Sequence, residues 1–152
     1  MNTAKQEPVA TQRDRIARAD ITIDASIARV WDGLVSPDVV KKYMAGATVV
    51  TDWREGSPIV WKGQWKGKPF EDKGTVLEVA PERHLKYSHY SPTSGAPDKP
   101  ESYHTVTIEL SKQDDGVHLS LSQDKNPTDD ARAHSEANWK MMLEGLKKAV
   151  EG

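Results

Sequence analysis

Cysteine is absent from this 152-residue chain, which removes disulfides, thiolate nucleophiles and cysteine-based zinc sites from consideration. Phenylalanine is nearly absent: Phe70 stands alone beside five tryptophans and four tyrosines. Most bulky rings therefore carry an N–H or O–H, and an interior built from them needs some polarity to satisfy those groups. No apolar run approaches the ~20 residues of a membrane-spanning helix, and the stretch MNTAKQEPVATQ has no apolar signal core. Positive charge is not in excess. A formal net charge of −2 and a pI near 6.2 give no phosphate-seeking field, which argues against a nucleic acid as partner. Also missing are a nucleophile elbow around any serine, a phosphate-cradling glycine loop, H-x-x-x-H or H-x-H spacing, and any pair of inward carboxylates. These absences leave no catalytic residue, metal or cofactor to assign. The expectation is a soluble, cytoplasmic protein with no membrane insertion, either monomer or homodimer.

What is present reads as one domain over residues 13–152, preceded by a polar, unperiodic tail over residues 1–12 expected to be disordered. From Arg15 the residues Ala17, Ala19, Ile21 and Ile23 alternate with polar ones, the pattern of a half-buried strand. Ser26 caps a short helix built on Ile27, Val30, Trp31 and Leu34, and Ser36-Pro37 opens a second that ends at Gly46. A meander follows. Strands are expected over residues 49–53, 59–65 and 70–79, then around Leu85 to His89, His104 to Leu110 and Val117 to Leu121, with Thr75, Leu77 and Val79 sharing an inner face. Three prolines and Gly95 make residues 91–101 an irregular connection. The chain closes on a long helix over residues 126–151, capped by Asn126, with Trp139, Met142, Leu143, Leu146 and Val150 on one face. Its first half offers only alanines as apolar residues, so it stands over a space instead of filling a core.

The order strand, two short helices, about six strands and one long helix defines an α+β domain: a curved antiparallel sheet of about seven strands wrapped around the C-terminal helix. The passages ITIDASIARVWDGLVSPDVVKKYM, GTVLEVAPERHLKYSHY and EANWKMMLEGLKKAVE resemble the activator-of-heat-shock-protein-90-ATPase homologue family. That family belongs to the START and birch-pollen-allergen-like helix-grip superfamily, SRPBCC. The resemblance implies a cavity between sheet and long helix, with its mouth framed by the two short helices and nearby loops. The eukaryotic co-chaperone of the family carries a separate chaperone-binding domain, for which these residues leave no room, so chaperone activation does not follow from the resemblance.

The candidate cavity residues are Trp53, Trp61, Trp65, Leu77, Tyr87, His89, His104, Val106, Asn138 and Trp139. The tryptophans would form a lining for flat ligands; their alternative role is ordinary core packing. A symmetric hairpin sets His89 and His104 opposite each other, where two imidazoles could act as an acid–base pair or as solvated strand-end residues. His134 is expected at the surface. The leading expectation is a non-catalytic protein holding a small hydrophobic or aromatic ligand. Two alternatives accompany it: a cyclase- or hydrolase-type enzyme using His89, His104 and Tyr87, and a chaperone-associated stress-response partner.

Overall fold

A computed structural model of the protein describes residues 15–151; the tail expected over residues 1–12 lies outside them. Alternation makes β1, Ala17–Ile23, which buries Ala17, Ala19 and Ile23 and turns Arg18, Asp20 and Thr22 toward the other face. The Ser26 side chain accepts the Arg29 N–H and starts α1, Ile27–Val35. Pro37 then occupies the first position of α2, Pro37–Tyr43, and the chain leaves it through Ala45 and Gly46, both at positive φ. Six antiparallel strands follow: β2 (Thr48–Val50), β3 (Pro58–Trp65), β4 (Lys68–Ala80), β5 (His84–His89), β6 (His104–Gln113) and β7 (Gly116–Gln123). The helix α3, Asp129–Glu151, ends the described chain.

The sheet runs β1-β7-β6-β5-β4-β3-β2, so the two short helices carry the chain from one edge to the other. Its inner face closes on α3, where Leu143, Leu146 and Val150 are buried among Ile23, Leu119 and Val30. This is the expected α+β helix-grip architecture. At Gly33 a Cβ would stand 2.8 Å from Val150 and 2.9 Å from Leu146, so only glycine admits so close an approach of α1 to α3. The open edge of β1 is covered by the same helix. Glu136 accepts the Arg18 N–H (3.1 Å), Lys147 donates to the Thr22 carbonyl (2.9 Å) and Glu151 accepts the Asp24 N–H (2.6 Å).

Four expectations change. β2 stops at Val50, because Trp53 adopts φ 58° and its indole N–H donates to the Val35 carbonyl at 3.0 Å, which turns the chain off the sheet. β4 carries a bulge between Val76 and Glu78, where two residues oppose one on β5. The bulge shifts the alternation, so Val76 is fully buried opposite Tyr87 and Leu77 is an exposed hydrophobic residue. Asn126 is not the cap of α3; Thr128 is, its hydroxyl accepting the Ala131 N–H at 3.0 Å. Asn126 is instead buried, donating to the Arg15 and Gln123 carbonyls and accepting from Ser135. Finally, the proline-rich connection holds two 3₁₀ turns, Pro92–Ser94 and Pro100–Ser102, pinned by stacking of Tyr90 on Tyr103 and by the Lys73–Asp98 ion pair.

Candidate functional site

Between the middle of α3, the turn after α2 and the inner faces of β3, β4 and β5 lies a cavity of about 270 Å³. Residues 63 and 70 explain part of it. Gly63 brings no side chain, and the Phe70 ring from the facing position on β4 lies over it, where a Cβ at Gly63 would come within 2.8 Å. Trp61, one inward step before Gly63, meets Tyr87 at 5.3 Å and the edge of His89 at 5.0 Å between ring centroids. From the helix side come Trp139 and Met142, and from the turn after α2 come Met44, Ala45 and Ala47. The wall is therefore mainly apolar and aromatic, and α3 contributes little bulk before Trp139, since Ala133 and Ala137 face outward.

Polar groups enter at one end. Asp72 sits opposite Trp61 in the β3–β4 register, so its side chain shares the inner face, and its Oδ2 lies 2.9 Å from His89 Nε2. The carboxylate accepts, so Nε2 carries a proton and donates it; in the neutral form of the ring Nδ1 is then the free acceptor. Asp72 Oδ1 is buried with no hydrogen-bond partner. Gln123 and Ser135 also line the cavity but are already engaged. Gln123 Oε1 accepts the Trp139 indole N–H at 2.6 Å, and the Ser135 hydroxyl donates to Asn126. Burial pushes the Tyr87 phenol up, so it stays protonated; Tyr43 is pushed up by burial first and by Tyr87 second, and it donates to the Gly33 carbonyl. A second void of about 30 Å³ lies deeper, toward Leu34, Val40 and Val49, and shares Met44, Trp61, Tyr87, Trp139 and Met142 with the first. Those five side chains form the partition.

Trp61, Tyr87, His89, Asn138 and Trp139 thus meet at the larger cavity, with the exposed Asn138 at its mouth, while Trp53 reaches only the deeper void. Leu77 lies outside both, exposed by the bulge. Val106 is core, packed across from Tyr87. His104 does pair with His89 in the strand register, but its Nδ1 is hydrogen-bonded to the Asp124 carbonyl at 2.9 Å, so the two rings have separate partners. The side chain of Trp65 lies outside the described residues, and His134 is exposed. Asp72, Phe70, Gln123, Ser135, Ala45, Ala47, Met44 and Met142 are the site residues that sequence reading missed. For Asp72 the only available signal was its position two residues after Phe70 in an alternating strand.

A single-layer antiparallel sheet gripping a terminal helix around an aromatic-walled cavity defines a helix-grip protein of the START-like, SRPBCC type. Within that class the chain belongs to the activator of Hsp90 ATPase homolog 1-like family, whose model matches residues 24–151. Solved structures agree. A Cytophaga hutchinsonii protein studied in solution is 55% identical, with a TM-score of 0.77 over 88% of this chain and 91% of that one. A Chromobacterium violaceum protein superposes with a TM-score of 0.74 at 21% identity, covering 91% of this chain and 99% of that one. The Aha1 dimer of Colwellia psychrerythraea gives 0.70 at 22% identity over 90% of this chain and 96% of its own. No curated protein matches the sequence. No helix of the described residues is long and apolar enough to cross a membrane.

Proposed function

We propose that this protein binds a small ring-bearing hydrophobic molecule in the cavity between α3 and the sheet. The observation that carries the reading is the wall itself: Trp61, Phe70, Tyr87 and Trp139 surround a space of about 270 Å³. That volume lies just below the ~300–1,000 Å³ typical of sites for drug-sized ligands, which suits one or two fused rings. Titration with naphthalene, followed by tryptophan fluorescence and native mass spectrometry, tests it. A saturable one-to-one complex that Trp139→Ala weakens at least about tenfold is the expected outcome. Absence of a complex with any ring compound of this size would refute it.

A histidine-dependent enzyme is the second reading, favoured by the Asp72–His89 pair beside Tyr87. It needs His89 alone, since His104 does not line the cavity.

A further inference from the structure

The unfilled hydrogen-bonding capacity of the cavity describes the polar end of its ligand, an inference that rests on the binding reading above. Among the polar side chains that line the cavity, Gln123 and Ser135 are held by Trp139 and Asn126, and Asn138 stands exposed at the mouth. Asp72 Oδ1 has no partner, and it is the one buried side-chain oxygen or nitrogen left so among the described residues. His89 Nδ1 has no partner among the described residues either, and His89 lines the cavity. Both atoms are acceptors: one belongs to a carboxylate, the other to an imidazole whose proton is committed to that carboxylate. Charge points the same way. Among the described residues no lysine or arginine lines the cavity, while Asp72 brings a carboxylate into it. An anionic head group would be stripped of water beside a like charge with no cation to compensate.

We propose that the cavity selects a ring-bearing ligand whose polar end donates a hydrogen bond and carries no negative charge, such as a phenolic or alcoholic hydroxyl, with His89 as the acceptor and the buried Asp72 carboxylate both orienting its ring and excluding anions. A carboxylate of the same shape is rejected. The Tyr87 hydroxyl, which has no partner among the described residues and is kept protonated by burial, adds a donor for a second, accepting group on the ligand.

The test compares naphthalene, naphthol and naphthoate by isothermal titration at about pH 8, above the ordinary imidazole range. Naphthol should bind at least about tenfold more tightly than naphthoate. Asp72→Asn should narrow that ratio to within about threefold, chiefly by admitting naphthoate, while His89→Gln should weaken naphthol by a larger factor than it weakens naphthalene. Circular dichroism of both variants verifies folding, and either variant alone suffices. Equal or tighter binding of naphthoate by the wild type, or a ratio unmoved by both substitutions, overturns the proposal while leaving the cavity reading intact. If none of the three compounds binds, the cavity reading fails and this inference with it.

Discussion

At the scale of single residues, the decisive positions are those where backbone geometry redirects a side chain. Leu77 and Val76 exchange roles because of one extra residue on β4. Replacing Leu77 with Thr should change stability by less than ~0.5 kcal/mol, as for an ordinary surface position. Val76→Ala should cost roughly 2 kcal/mol, because a fully buried side chain leaves a void opposite Tyr87. Urea denaturation of the two variants gives both values, and the reverse ranking would mean that β4 is in the other register. Alternation in the sequence could not reveal the bulge, since Thr75, Leu77 and Val79 look as good an inner face as Val76 does. Asp72 was hidden for a related reason: Glu71-Asp72-Lys73 reads as a solvated charge cluster, and only the pairing with Trp61 turns its middle member inward. Trp61, Tyr87, His89 and Trp139 were legible because each lies on an uninterrupted apolar periodicity of strand or helix.

Among the elements, α3 does two things along its length. Its second half buries Leu143, Leu146 and Val150, as its apolar stripe requires. Its charged side chains close the open edge of β1, a role that periodicity does not disclose because Glu136, Lys147 and Glu151 read as an ordinary wet face. Glu136 is held below the usual carboxylate range by the Arg18 N–H first, and Glu151 by Lys147 first and then the Asp24 N–H. A carboxylate with a depressed folded-state value stabilises fully above its ordinary value, here 4.5, and loses that contribution as pH falls through the folded value. Thermal melts should therefore show the midpoint falling as pH drops below that point. The double variant Glu136→Gln, Glu151→Gln should melt a few degrees lower at neutral pH and show a shallower acid decline. An unchanged acid slope would detach these two residues from the edge.

Taken as a whole, the molecule is a sheet closed on one helix with its packing left incomplete at one place. The fold was readable in the sequence because its element order and periodicities are local properties. The cavity was only partly readable, since it arises where Gly63, the Ser135 to Met142 stretch of α3 and the turn from Met44 to Ala47 come together from distant parts of the chain. Met44 and Met142 stand on its inner wall, and as unbranched side chains they can reshape the partition with the deeper void at modest cost.

Entry of a ring-bearing molecule into this cavity, and not binding elsewhere on the surface, is measured by nuclear magnetic resonance of the methionine methyls and tryptophan indoles during titration with naphthol. Met141 and Met142 are adjacent on α3, but Met141 is 68% exposed and Met142 lines the cavity, so the pair carries its own control. Saturable shifts of the Met44 and Met142 methyls and of the Trp61 and Trp139 indoles are expected, with Met141 unmoved. Shifts confined to Met141 and other surface groups, or no saturable shift at the four cavity probes, would contradict it.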